Sequence, residues 1–470
     1  MNDSLKKNFL FLKCFFVFIL FETTFLLSSY NKDFFGIKVL INYLFVLLVL
    51  PLFYEKYIKG KVDIFSPIVI VVFFYFIIFV ISSIDLLLNR FDELQNEEKF
   101  YAYAIVYSII SFHAFLIGYY SNLSKIFLKI RVKRYQRHSV NKVFLVTLFY
   151  SAISFLSFFL IVKASGGLSN YIENITGSMV KLLTGSAFLY MGVILIKIPV
   201  LIWFGFQLKR GKFSILFLVY FVTASILLVF LGERGHFVFL IISLLVSYHY
   251  IKYRLKLIPV SIFALILYLF LLLYGQYREF GLKNTNRMEN KERYRLGTVI
   301  TYKKLVENFD QLIRVKDIIK YVPQKLDYQY GKTFFNLLFK PIPSRIWPEK
   351  PQGAGYYVTK SLYPKHFAAN ASIATSLLGE FYLNFHVVGI ILGMFLFGLA
   401  VSGLYKILTF NLKEFYVIIV YSLAFPYIFS ELRGDFAVVS SFFIFELLFL
   451  FLALNFIAKD RQSNGAMCVN

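Results

Sequence analysis

Residues 386–406 read HVVGIILGMFLFGLAVSGLYK, with ionisable side chains only at the two ends. A helix that crosses a bilayer needs roughly 20 apolar residues. The run is continuous rather than alternating, which predicts a helix and not the strand of a barrel. Working outward, comparable runs recur at about 9–28, 36–54, 64–88, 99–121, 142–164, 183–206, 213–232, 235–253, 256–276, 415–431 and 437–458. The expected fold is therefore an all-α polytopic membrane protein of about twelve transmembrane helices, one membrane domain over residues 1–470. Composition points the same way. The chain is 59% hydrophobic with 58 Phe among 470 residues, more apolar surface than a soluble core can hide. Lipid-facing positions account for such an excess, because only helices and closed barrels satisfy their backbone in hydrocarbon.

The charge between the runs sets an expected orientation. With the N-terminus inside, alternate gaps hold Lys6, Lys7, Lys56, Lys59, Lys61, the Lys125–Lys142 run, Lys209, Arg210, Lys212, Lys252, Arg254, Lys256, Lys406, Lys413, Lys459 and Arg461. The other short gaps hold only Lys32, Arg90, Lys99, Lys163, Lys181, Arg234 and Arg433. This asymmetry is the positive-inside pattern, and it predicts cytoplasmic N- and C-termini. The net charge of +24 is read as basic cytoplasmic loops and affinity for anionic membrane lipids, with no nucleic-acid partner expected. The first run, after Lys6 and Lys7, lacks a small-residue cleavage site and reads as an uncleaved span. Cys14 and Cys468 lie at opposite ends of the chain, which suggests neither a disulfide framework nor a metal cluster.

One segment departs from the pattern. Residues 277–385 form a single large loop that parity places outside the cytoplasm, yet between Arg278 and His366 it holds 18 Lys/Arg against 8 Asp/Glu. Long loops translocate largely regardless of charge, so basic residues kept there suggest an anionic partner. Within it, Leu305, Phe309, Leu312, Ile319 and Val322 recur at helical spacing, the pattern of an amphipathic helix on the membrane face or capping the bundle. Thr333–Phe339 is apolar but too short to span, and is expected at the membrane interface. Pro341, Pro343, Pro348 and Pro351 forbid regular helix and predict a stiff extended stretch.

Four polar clusters stand out. GERGH at 232–236 packs Glu233, Arg234 and His236 into a turn; it suits a diphosphate, since arginine offers paired charge-assisted hydrogen bonds, or it is a solvated turn. PIPSRIWPEKP at 341–351 projects Arg345, Glu349 and Lys350 from a proline-stiffened loop beside Trp347; it reads as a ligand loop or an interfacial anchor. GEFYLNFH at 379–386 places Glu380, Tyr382 and His386 where a span begins, either a proton-transfer site in a desolvating boundary or an ordinary helix start. ELRGD at 431–435 permits an internal ion pair, or an Arg433 that joins Arg234. Lys197, Glu446 and Asp85 are ionisable residues within or near spans, functional suspects on that ground. The sequence has no Walker loop, dinucleotide fingerprint or zinc-binding His-Glu-x-x-His helix, so no nucleotide coupling, cofactor or metal is expected.

With its many Phe-rich spans, large outer loop, GERG turn, PIPSRIWPEKP segment and LGEFYLNFHVVG span entrance, the chain resembles the Wzy-type O-antigen polymerases, the oligosaccharide repeat-unit polymerases. The resemblance implies a GT-C-like glycosyltransferase in a bacterial cytoplasmic (inner) membrane. Its substrates would be undecaprenyl-diphosphate-linked glycans, and a polysaccharide chain-length regulator would be a partner. The roles then implied are Arg234, Arg345 and Arg433 as diphosphate ligands assisted by Lys350, and Glu380 or His236 as the catalytic base. Trp347, Tyr356, Tyr357 and Tyr382 would stack on sugar rings. Two alternatives remain open: an O-antigen ligase, which differs in acceptor, and a lipid-linked oligosaccharide flippase or transporter, which would favour charges inside the spans.

Overall fold

The computed structural model describes residues 35–60, 62–130, 137–138, 140–173, 187–232, 234–269, 309–340, 342, 346–347, 349–368 and 372–459. In chain order the main helices are α1 (Phe35–Ile58), α2 (Pro67–Asn89), α3 (Phe91–Tyr120), α4 (Val140–Ala164) and α5 (Phe188–Arg210). Next come α6 (Ile215–Phe230), α7 (Arg234–Ile251) and α8 (Leu257–Leu269). Then follow α9 (Gln311–Tyr321), α10 (Lys332–Phe339) and α11 (Ala354–Leu362). The last three are α12 (Ser376–Phe410), α13 (Phe415–Arg433) and α14 (Phe436–Ile457). Apart from a two-residue antiparallel bridge between Arg137–His138 and Ala458–Lys459, the described chain is all-α.

Among the described residues eight helices, α1 to α5 and α12 to α14, are long and apolar enough to cross a membrane, with mean hydropathies from 1.6 to 2.8. This is the architecture of a multi-pass membrane protein. Three further expected spans correspond to the shorter apolar helices α6, α7 and α8. The expected first span, 9–28, lies outside the described residues, as do residues 270–276 of the expected span at 256–276 and residues 277–308 of the large loop. Helix α4 carries the apolar outer surface that a bilayer would cover. Phe144, Leu148, Phe149, Leu156 and Phe159 are each 57–62% exposed, an apolar surface suited to lipid and of a length that soluble monomers rarely expose.

Local sequence sets the helix ends and breaks. Pro67 opens α2 behind an extended Ser66, where its missing N–H costs nothing. The Ser214 hydroxyl accepts the Phe217 N–H at 3.2 Å and caps α6, as N-cap serines do. Gly211 ends α5 at φ +69°, a left-handed C-cap that glycine adopts freely. Helix α5 tightens at Leu195–Ile196, where the Ile198 N–H reaches back only to the Leu195 carbonyl at 3.0 Å. Pro199, next in line, has no N–H to give. Helix α12 breaks at Phe385 and His386 (φ +56°, ψ −148°), so a short helix precedes the long apolar one that the sequence places at 386–406.

The chain divides into two compact units, each assembled from separate stretches. The first comprises Met1–Ile126, Lys291–Tyr405 and Ile428–Ser441, and the second Phe127–Asn290, Lys406–Tyr427 and Phe442–Asn470. In the first unit α3 and α12 approach backbone to backbone. A Cβ on Gly118 would collide with the Phe395 carbonyl, and one on Gly398 with the Phe115 carbonyl. Beside this contact the Tyr75 hydroxyl meets Ser111 Oγ at 2.9 Å. The amphipathic helix expected in the loop is α9. It buries Leu312, Val315, Ile318 and Ile319 and packs on α3, with Lys316 and Lys320 both paired to Glu97. In the second unit the core gathers Tyr190, Ile194, Ile198, Leu228 and Leu450.

Candidate functional site

In the first unit the described part of the large loop is held to helix ends by two buried carboxylates. Glu380, fully buried in the first turns of α12, accepts from Thr333 Oγ1 at 2.6 Å and from the Phe436 N–H at 2.8 Å. Asn384, one turn on, donates to Thr333 Oγ1 and to the Glu380 carbonyl, both at 2.8 Å. Its Oδ1 accepts the Gly331 N–H at 2.8 Å. Asp435, in the α13–α14 turn, accepts from the Gly355 N–H at 2.8 Å and from Thr375 Oγ1 at 3.0 Å. Gly355 must be glycine here, because a Cβ would press on that carboxylate and on the Ile373 carbonyl. A third carboxylate, Glu431, accepts from Ser440 Oγ at 2.7 Å. Burial pushes the Asp435 carboxyl above the usual carboxylate range, opposed by its N–H and hydroxyl donors and by Lys340. Burial likewise lowers the half-buried Lys340 amine to about 8, with Asp435 opposing and Lys350 adding to the drop.

Several residues singled out from sequence border this centre. Lys350 turns inward and donates to the Ile342 carbonyl at 2.5 Å and the Lys340 carbonyl at 3.4 Å, so it pins the proline-rich stretch. Trp347 is 38% exposed and meets the edge of Phe339 at 5.1 Å. Tyr356 is exposed beside Phe367, and the Tyr357 hydroxyl accepts the Gln352 N–H at 3.3 Å. Tyr382 is buried in an aromatic stack with Tyr107 and His386, so its ring is spoken for by protein. Glu380 likewise has both oxygens engaged, which makes it a positioning group in this structure.

Arg433 is exposed, its guanidinium 5.5 Å from the Phe309 ring. Arg314 pairs with Asp310 at 2.7 Å and Arg90 with Asp85 at 3.2 Å. Burial raises the Asp310 carboxyl, and Arg314, Arg90 and Arg433 together oppose the rise. Three guanidinium groups thus act on one carboxylate. Arg345 and Glu233 lie outside the described residues.

Arg234 and His236 belong to the second unit, at the start of α7, and only the backbone of Arg234 is described. His236 is buried, and its Nδ1 lies 3.0 Å from Lys197 Nζ. The same ammonium reaches Glu446 Oε1 at 2.5 Å and faces the rings of Phe239 and Tyr427 at 5.6 and 5.9 Å. His236 Nδ1 is 4.0 Å from that carboxylate oxygen. A cation on α5, a carboxylate on α14 and an imidazole on α7 therefore share one buried centre with little free volume. Such groups inside spans pair with one another because hydrocarbon leaves them no other partner.

Sequence reasoning singled out Glu380, Asp435, Lys197 and Glu446 but not Thr333, Thr375 or Lys340. The i, i+4 spacing of Glu380 and Asn384 was the readable signal for one polar helix face; nothing local points to the threonines 47 and 60 residues away from their carboxylates. Among the described residues no group of three His, Cys, Asp or Glu is arranged to hold a metal ion. Comparison with protein-family models, with curated proteins and with solved structures finds no match to this chain.

Proposed function

We propose that this protein is a membrane glycosyltransferase. It would polymerise undecaprenyl-diphosphate-linked oligosaccharide repeat units into O-antigen or a related surface polysaccharide on the outer face of the cytoplasmic membrane. The observation that carries the reading is the polar segment clamped to apolar helix ends by Glu380 and Asp435. It joins a titratable amine, exposed rings and guanidinium groups to a membrane-spanning body. A lipid-linked substrate needs that combination, with a bilayer for its tail and cations for its diphosphate.

In this mechanism a hydroxyl of the acceptor repeat unit attacks the anomeric carbon of the donor. The carbon–oxygen bond to phosphate breaks, and undecaprenyl diphosphate leaves. Arg345 and Arg433 neutralise charge developing on the departing phosphate. Lys340 is suited to take the hydroxyl proton, because an amine near 8 exchanges protons close to neutrality. Tyr356 presents a ring face to sugars, and Trp347 anchors the segment at the membrane interface. Glu380 and Asp435 fix the segment that carries Lys340 and Tyr356.

The test is extension of a synthetic undecaprenyl-diphosphate-linked repeat unit by purified protein in nanodiscs. A ladder of products that shortens in Arg345→Ala and collapses in Lys340→Met supports the reading. Folded protein that yields no ladder refutes it. Addition of lipid A core as acceptor separates a polymerase from a ligase. A second reading, transport of a lipid-linked glycan, is favoured by the Lys197–Glu446–His236 centre buried in spans. Movement of a labelled lipid-linked glycan between leaflets without elongation would establish that reading instead.

A further inference from the structure

Helix α10 is inside out for a water-soluble segment. Its polar residues Thr333 and Asn336 are buried, at 0% and 6% exposure, while Phe335 and Leu338 are 53% and 68% exposed. A helix facing water turns its apolar stripe inward; this one turns it outward. The chain on either side behaves alike, with Tyr330 at 71%, Ile346 at 75% and Trp347 at 38%. The inward face is committed: Thr333 bonds Glu380 and Asn384, and Phe334 packs on Phe381 and Phe436.

We infer that α10 lies in the membrane with its Phe335–Leu338 face against lipid acyl chains, forming the wall between hydrocarbon and the Glu380–Asp435 centre. The occupant follows from continuity. Gly331 sits between the Phe335 and Phe385 rings, a Cβ there lying 3.9 and 3.4 Å from them, and Phe385, Val388, Leu392 and Leu396 continue as an exposed apolar row down the spanning part of α12. The α10 face therefore extends a surface that already needs lipid. Eight residues of helix span only about 12 Å, against the roughly 30 Å of a bilayer core, so α10 enters one leaflet and does not cross. Lys332, at its N-terminal end, is exposed and long enough to keep its ammonium at the polar interface, as long cationic side chains do. The inference rests on the membrane architecture and stands apart from the polymerase reading. Joined to that reading, it lets a substrate keep its tail in the bilayer while its head meets the polar centre.

The chain has two tryptophans, Trp203 and Trp347, so Trp203→Phe leaves Trp347 as a native reporter. In nanodiscs, lipids brominated along their acyl chains should quench Trp347 strongly. A second measurement uses cysteine variants Leu338→Cys and Phe335→Cys, with Lys360→Cys as an exposed control and Cys14 and Cys468 replaced by serine. A membrane-impermeant maleimide should label positions 335 and 338 at least tenfold more slowly than position 360. An environment-sensitive probe at 338 should be quenched by the brominated lipids. Labelling at 338 as fast as at 360 would overturn the inference. So would positions shielded from maleimide yet unquenched by lipid, since a protein cover would then occupy the face.

Discussion

The Lys197–Glu446 pair allows a quantitative test of how dry the second unit is. The two charges are 2.5 Å apart, with side chains 3% and 0% exposed. Removing one partner of a buried pair strands the other charge and costs about 3–5 kcal/mol, whereas replacing both with apolar residues of similar volume is often neutral or stabilising. Glu446→Leu alone, or Lys197→Met alone, should therefore lower the folded-to-unfolded ratio by roughly two to four orders of magnitude, at about 1.4 kcal/mol per tenfold. The double variant should recover most of that loss. His236 sharpens the prediction: its Nδ1 accepts from the ammonium, so in the double variant the imidazole loses a donor and keeps a small residual cost, about 1 kcal/mol. The assay is reversible denaturant unfolding in mixed micelles, run as a double-mutant cycle. Single-variant losses below about 1 kcal/mol, the range of exposed pairs, would show that water reaches the pair and would refute the burial argument. A double variant as unstable as either single would show that the ring-lined pocket requires the cation itself.

Thr333→Val removes the donor to Glu380 and the acceptor of Asn384; each orphaned group should cost about 1–3 kcal/mol, and Thr333→Ser should restore most of it in thermal unfolding. Gly398→Leu should abolish monodisperse protein in size-exclusion chromatography. The new side chain meets the Phe115 backbone, and overpacking costs about 1–3 kcal/mol or more where the obstacle is not a movable side chain; a normal elution profile would contradict the close α3–α12 approach. For Lys340 the folded amine sits near 8, below its ordinary 10.5. The unfolded chain then binds more protons between those values, so this group makes stability rise with pH across that window. Lys340→Met should flatten the rise, measured as unfolding temperature against pH.

Much of the membrane body was legible in the sequence because lipid-facing helices write themselves as uninterrupted apolar runs. The run at 386–406 begins at the break in α12, and the spacing of Leu312 and Ile319 marks α9. The polar centres were only half legible. Asp435 and Arg433 are two residues apart, which suggests a local ion pair. The carboxylate instead takes N–H and hydroxyl donors from Gly355 and Thr375, partners that only tertiary packing brings near. His236 reads as part of a polar turn. Two residues into α7 it is on a buried face, where Lys197 and Glu446 wait on other helices. Helix α10 carries too few residues for its period to reveal that its polar side points inward.

The order of synthesis gives the carboxylate clamp a consequence for biogenesis. Thr333, Gly355 and Thr375 leave the ribosome before Glu380, Asp435 and Phe436, whose groups hold them. The Asp435 half of the clamp therefore stays open until α13 has been made. A nascent chain stalled before residue 435 should expose the stretch it holds to protease, and a chain released after that point should protect it, making completion of α13 the checkpoint for maturation.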